Sequence, residues 1–367
     1  MPTIVLKNVV KKFGKIVALN EIDLDIKEEE FFVLVGPTGA GKTTTLRVVS
    51  GLEKIDSGEM LFGNEDATVL SPAERDVAFV YQSFSLYPQM TVRKNLEFPL
   101  RSPMYRESEE EIKKRVEHVA DLLHITALLD RMPDALSGGE MQRVGIGRAI
   151  VRKPQIFLMD EPLSDLDAKL REQLRVELRQ IQSDLKTTTI YVTHDQVEAM
   201  SMGDRVAVLN EGVVHQIGTP KEVYRKPCDL FVAGFIGNPK MNFLSCKIIG
   251  GASPTLDLEK GLFQISLSEK IAKKFLGYPE KDGLLMGIRP EAIILHKEKG
   301  KARIESEVLF LEHFGSMNII NLQIGEKILK VRTHPTQTAK QKEKVWIEFE
   351  EEHIILFDKE TGKSLVE

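Results

Sequence analysis

Residues 31–43 read FFVLVGPTGAGKT. An apolar run without a polar break ends in glycine, the pattern of a strand buried on both faces. The segment GPTGAGKT at 36–43 then matches G-x-x-x-x-G-K-T in full. Gly36, Gly39 and Gly41, with Pro37, Thr38 and Ala40 between them, let the backbone wrap so that successive N–H groups face phosphate oxygens. A helix opening near Lys42 adds its positive end. Lys42 reaches the β- and γ-phosphates as a point charge, the Thr43 hydroxyl can ligate Mg²⁺, and Thr44 completes the nucleotide-binding set. Lys42 to Ser50 is rich in Thr and Val, so propensity alone would not make it a helix; the glycine loop in front does. The motif by itself says nucleoside triphosphate and leaves GTPases, kinases and ATPases open.

Outward from this loop, Ile4-Val5-Leu6 and Ile22 to Ile26 alternate apolar with polar, and further strands are expected at Val77 to Tyr81, Ile156 to Met159, Thr189 to Val192 and Val206 to Leu209. Amphipathic helices are expected from Glu107 to Leu129, with Ile112, Val116, Val119, Leu122 and Leu123 on one face, and over 166–185, with Leu170, Leu174, Leu178 and Ile181 on one side. Strands separated by helices predict an α/β domain with a largely parallel sheet.

Three of those strands end in chemistry. IFLMDEP at 156–162 delivers Asp160, a carboxylate able to hold the Mg²⁺ shell, and then Glu161, placed to act as general base on the attacking water. His194, after Tyr191-Val192-Thr193, offers an imidazole for the γ-phosphate. Gln82, after Val77 to Tyr81, offers an amide to Mg²⁺ or water. The plain alternatives are an acidic turn and a structural histidine; a phosphate loop upstream argues against both.

The chain has 367 residues, 42% apolar and 29% charged, with a formal net charge of −5. That length fits about two or three domains. The acidic balance makes nucleic acid a poor partner. Cys228 and Cys246 have no metal-ligand spacing and suggest no disulfide framework, which suits a reducing cytoplasm. The N-terminus, MPTIVLKNVVKKFGK, lacks the pattern of a signal peptide, and no run approaches about 18 apolar residues, so a membrane role must pass through a partner.

The segment LSGGEMQR at 136–143 separates the families. Ser137, Gly138 and Gly139 open a helix, and bare N–H groups beside a serine hydroxyl make a second anion site. This segment resembles the signature motif of ABC ATPases, and the motif order along the chain matches too. The resemblance implies a head-to-tail homodimer in which this site caps the γ-phosphate of ATP held by the other subunit. It implies that Phe13 stacks on adenine and that Asp167 lies on a loop touching the opposite active site; Asp165 departs from the small residue often found there.

A finer resemblance covers nearly the whole chain. RDVAFVYQSFSLYPQMTVRKNLEFPL (75–100), GTPKEVYRKPCDLFVAGFIGNPKMNFL (218–244) and GIRPEAI (287–293) look like importer ATPases of the carbohydrate-uptake (maltose and multiple-sugar) type. Expected are a P-loop ABC nucleotide-binding domain at 1–235, with a helical subdomain at about 88–152, and a C-terminal all-β OB-like (TOBE-type) domain at 236–367. Short strands are foreseen there at Ile248-Ile249, Ile293 to Leu295, Ile319 to Leu322, Trp346 to Phe349 and Ile354 to Phe357. His296, His313, His334 and His353 are too scattered for a metal site. The implied partners are two integral-membrane permeases and, indirectly, an extracytoplasmic solute-binding protein, with the chain peripheral on the cytoplasmic membrane face. Importers for polyamines, iron and oxyanions share much of this layout. A soluble ABC ATPase acting on DNA or ribosomes would usually carry a long coiled coil or two nucleotide domains, and neither is present.

Overall fold

Alternation at the start of the chain builds a hairpin of β1 (Ile4–Phe13) and β2 (Ile16–Ile26), which buries Ile4, Leu6, Val9, Leu19, Ile22, Leu24 and Ile26. The computed structural model describes residues 2–102, 107–249, 255–268, 271, 283–300 and 303–365, and the chain divides into two compact units, Met1–Pro220 and Lys221–Glu367.

The first unit continues with β3 (Phe31–Val35), α1 (Lys42–Val49), β4 (Ser57–Phe62), β5 (Glu65–Asp66), β6 (Val77–Val80), α2 (Val92–Glu97), α3 (Glu109–Leu122), α4 (Gly138–Ile150), β7 (Ile156–Asp160), α5 (Ala168–Leu185), β8 (Thr188–Thr193), α6 (Gln196–Met202), β9 (Arg205–Asn210) and β10 (Val213–Gly218). The central sheet runs β10-β9-β3-β8-β7-β6. Strands β9, β3, β8, β7 and β6 are parallel; β10 returns antiparallel. Every residue of β3 is buried, as are those of β7 and β8, because the sheet is covered on both faces. Each such large apolar side chain contributes about 1.5–3 kcal/mol. A second, antiparallel sheet has the order β2-β1-β4-β5, and its inner face joins the same apolar core as Phe32, Leu34, Leu46, Leu158 and Val192.

Caps set the helix limits. The helix expected from 107 starts at Glu109 because Ser108 and Glu111 form a reciprocal capping box, and it stops at Leu122, with His124 turned to φ 55°. The helix expected from 166 starts at Ala168, because Asp167 Oδ1 accepts from the N–H groups of Lys169 and Leu170, both at 3.1 Å.

The second unit opens with α7 (Pro220–Arg225) and α8 (Leu230–Phe235). Strands β11 (Asn242–Ile249), β12 (Thr255–Leu258), β13 (Phe263–Ser266), β14 (Leu284–Ile288), β15 (Ile293–His296), β16 (Ile304–His313), β17 (Asn318–Ile324), β18 (Lys327–Thr333), β19 (Lys344–Phe349) and β20 (Ile355–Asp358) follow. They form two antiparallel sheets, β13-β12-β11-β14-β20 and β15-β19-β16-β17-β18, around one apolar core that includes Leu256, Met286, Ile320, Val331 and Ile347. Among the described residues beyond 240 the unit is β-rich, as expected, with short 3₁₀ turns and a helical residue at Ile271. The GIRPEAI segment has a packing reason: Arg289 is buried, donates to the carbonyls of Ala233, Ile236 and Tyr224, and stacks 4.2 Å over the Tyr224 ring.

Candidate nucleotide site

The carboxyl ends of adjacent parallel strands are where α/β sheets gather ligands. Register brings four of the singled-out segments to that edge. Val35 pairs with Thr193, so Gly36 and His194 leave β3 and β8 at the same level. Asp160 pairs with Val192, and Val80 pairs with Met159, so Glu161 and Gln82 follow on the next strands.

The phosphate loop folds as its glycines require. Gly41 caps α1 with φ 104°, and a Cβ there would lie 2.7 Å from the Ala18 carbonyl oxygen. Lys42 is only 5% exposed. Its ammonium donates to the carbonyl oxygens of Gly36 and Pro37, both at 3.0 Å, and lies 3.6 Å from Glu161 Oε1. The other Glu161 oxygen, Oε2, is 2.7 Å from His194 Nδ1. An ionised carboxylate only accepts, so the imidazole proton sits on Nδ1 in this pairing. Glu161 therefore stands between a lysine and a histidine, with φ 45°, a left-handed backbone rare for a residue with a side chain. Its N–H donates to the Val192 carbonyl at 3.0 Å, which helps hold that conformation.

Thr43 Oγ1 donates to Asp160 Oδ1 at 3.0 Å. Burial pushes the Asp160 carboxyl up; the Thr43 bond pulls it down, and the nearby Glu161 charge raises it again. A buried carboxylate and a hydroxyl oxygen side by side, with net negative charge, are a hard-oxygen donor set of the kind Mg²⁺ takes. Gln82 is exposed, two residues beyond β6.

The remaining positions lie apart from this cluster. Phe13 is at the end of β1, 44% exposed, with the Lys11 ammonium 4.9 Å from its ring centroid. Ser137 caps α4 in a reciprocal box: its N–H and hydroxyl donate to Glu140 Oε2 at 2.7 and 2.8 Å, and its oxygen accepts from Glu140 N–H at 3.4 Å. The N–H groups of Gly138 and Gly139 thus lie at an end where Glu140 already supplies negative charge.

The description "ABC transporter" matches residues 19–164, "MalK OB fold domain" matches 237–293, and "TOBE domain" matches 286–357. The trehalose/maltose import ATP-binding protein MalK of Thermococcus litoralis is 44% identical, covering 98% of this chain and 98% of its own. The chain belongs to the ATP-binding subunits of ABC transporters. The xylose/arabinose import ATP-binding protein XacK of Haloferax volcanii is also 44% identical, over 96% of this ABC subunit and 91% of that protein. Among solved structures, a dimeric post-hydrolysis state of the ATP-binding cassette MJ0796 bound to ADP and Pi is 35% identical, with a TM-score of 0.54, over 59% of this chain and 98% of that one. The ABC subunit is accordingly an ATPase with an α/β nucleotide-binding fold and a C-terminal β-rich unit. Among its described residues no helix is long and apolar enough to cross a membrane.

Several residues of this ABC subunit matter to the site without having been singled out in the sequence. Asn95, fully buried, holds the loop after Gln82: its Oδ1 accepts from Tyr87 N–H at 2.9 Å, and its Nδ2 donates to the carbonyls of Tyr87, Met90 and Thr91. Beside that loop is a concavity of about 810 Å³, lined by Phe79, Tyr87, Phe98, Pro99, Arg148 and Arg152 among others. Glu198, also buried, accepts from Tyr191 and Thr193 hydroxyls at 2.9 and 2.6 Å behind His194, and burial raises its carboxyl. An asparagine at the fourth position of a capped helix, and a glutamate five residues past a strand end, carry no local signal of either task.

Proposed function

We propose that this ABC subunit hydrolyses ATP between two copies of itself to drive uptake of a sugar or oligosaccharide through partner membrane permeases. The observation that carries the reading is the match along essentially the entire chain, C-terminal unit included, to proteins named as sugar-import ATP-binding subunits.

The geometry of the loop and strand ends supports the residue roles within one copy, and the resemblance to ABC ATPases supports those across the dimer. ATP lays its phosphates along the N–H groups of the 36–44 loop, those of Thr38, Gly39, Ala40, Gly41, Lys42, Thr43 and Thr44, while Gly36 and Pro37, which has no N–H to give, shape the turn that presents them. Thr43, Asp160 and Gln82 would hold Mg²⁺, which when bound neutralises charge on the β- and γ-phosphate oxygens. Lys42 exchanges its carbonyl partners and Glu161 for phosphate oxygens. That leaves Glu161 Oε1 open to accept a proton from water, while His194 keeps Oε2 oriented. Phe13, 44% exposed with the Lys11 ammonium over its ring, would offer adenine the face that Lys11 leaves uncovered. Ser137, Gly138 and Gly139 of one copy complete the phosphate site of the other, and Asp167 lies on the loop that meets it.

We further infer that residues 1–235 serve as the nucleotide-binding domain and 236–367 as a dimerising and regulatory domain. The aromatic and arginine-lined concavity beside the loop after Gln82 suits a permease helix, which would hold the subunit to the cytoplasmic membrane face. An extracytoplasmic solute-binding protein would deliver the sugar. Size-exclusion chromatography of Glu161→Gln with ATP tests the motor: a stable dimer without turnover is expected, and a monomer with normal turnover would refute it.

A further inference from the structure

Arg171 lies in the first turn of α5, away from the phosphate loop, yet its guanidinium joins two of the site's loops. Nη2 donates to the carbonyl oxygens of Ser164 and Leu166 at 3.3 and 3.0 Å, on the segment between Glu161 and Asp167. Nη1 lies 3.6 Å from Asp195 Oδ2, next to His194. Nε is shielded from solvent and has no partner among the described residues, so the guanidinium is fixed by its two nitrogen tips.

Both ends of the bridge are firmly held. Ser164 is tied to Glu161 by its N–H and its hydroxyl, which donate to the Glu161 carbonyl at 3.2 and 3.0 Å. Asp195 uses Oδ1 to cap α6 through Val197 and Glu198 N–H, and its own N–H donates to Thr193 Oγ1 at 2.9 Å. A gap of about 20 Å³ lies between the two segments, lined by Glu161, Ser164, Arg171, Thr193, His194, Asp195 and Glu198. Glu161 and His194 are joined directly, Oε2 to Nδ1 at 2.7 Å, and Arg171 adds a second bridge, from the 164–166 carbonyls to Asp195.

We infer that Arg171 is a positioning residue, paired with Asp195, that makes the 164–167 segment and the His194 turn move as one body. The consequence rests on the reading of Asp167 as the contact with the opposite subunit: a displacement of Asp167 by the partner reaches His194 and Glu161 through Arg171. Lysine cannot replace it, because a single ammonium cannot hold two carbonyls and a carboxylate in the spread that the planar fork spans.

The test is steady-state ATP hydrolysis by the full chain in wild-type, Arg171→Ala, Arg171→Lys, Asp195→Asn and the Arg171→Ala/Asp195→Asn double variant. Asparagine at 195 keeps the cap of α6 while removing the charge. Expected are kcat reduced about tenfold or more in Arg171→Ala with KM within about twofold, little rescue by lysine, and a double variant no worse than the worse single one, as coupled residues require. A melting temperature within a few degrees of wild type in Asp195→Asn, together with lowered kcat, separates positioning from folding. Wild-type kcat in Arg171→Ala, or single effects that multiply in the double variant, would overturn the inference. Glu161→Gln is the control for the underlying reading: if it turns over like wild type, that reading fails, whereas loss there with normal Arg171→Ala sinks only the bridge.

Discussion

Replacing Lys42 by alanine tests the electrostatics of the phosphate loop. Its ammonium is buried and satisfied by two carbonyls at 3.0 Å and a carboxylate at 3.6 Å. On ATP binding at least one of these contacts must be exchanged for a phosphate oxygen, and a charge-assisted hydrogen bond contributes about 1.5–3 kcal/mol. Losing one or two such bonds, less the partners regained in the free protein, costs about 2–4 kcal/mol of binding. That is about a 30- to 1,000-fold rise in Kd. A fluorescent-nucleotide titration or calorimetry reads it directly. Lys42→Met fills the same space without the charge, so an equal loss there assigns the effect to the ammonium and not to a cavity. A Kd within about threefold of wild type in both variants would refute the argument, because it would mean that the ammonium does not reach the phosphates.

Other consequences are as direct. A Cβ at Gly36 would run into the Leu209 carbonyl oxygen and lie 3.1 Å from Ala40 Cβ; Gly36→Ala should cost about 3 kcal/mol, read as a fall of about 6–12 °C in the melting of the nucleotide-binding unit, and an unchanged melt would contradict the packing. Phe13→Ala should raise the KM for ATP by about 5- to 100-fold at constant kcat, the worth of one base–aromatic stack; an unaltered KM would remove Phe13 from the site. Burial pushes the Cys246 thiol up to about 12 and the Cys228 thiol to about 11, so thiol reagents at pH 8 should label the native protein far more slowly than the unfolded chain, and fast native labelling would show those environments to be open.

The parts that could be read from the sequence are those whose chemistry is local. A glycine loop between an apolar strand and a helix needs no tertiary information, and Asp160, Glu161 and His194 each announce themselves at the end of an apolar run. The structure sets these ends side by side through the order β3-β8-β7-β6, which no single stretch encodes. Arg171 and Asp195 were silent because their pairing spans α5 and the cap of α6. Asn95 reads as an ordinary helix residue until its amide is seen to tie the loop around Tyr87. In the C-terminal unit, Ile293 to Leu295 and Trp346 to Phe349 stood out as apolar clusters. By contrast, β16 and β18 set Glu307, Lys330 and Arg332 between buried positions, so they alternate as half-buried strands do but contain no continuous apolar cluster to stand out.

With Glu161 proposed as the base, ATP hydrolysis there should power sugar import. The most direct test is the ATPase of the complex extracted from membranes, with its copurifying proteins, measured in the presence of the solute-binding protein and a panel of solutes. Copurified permeases, several-fold stimulation by a sugar or oligosaccharide, and loss of that stimulation in Glu161→Gln are expected. Stimulation by a polyamine or an oxyanion alone, or a stable ATPase that never copurifies with a permease, would contradict that reading.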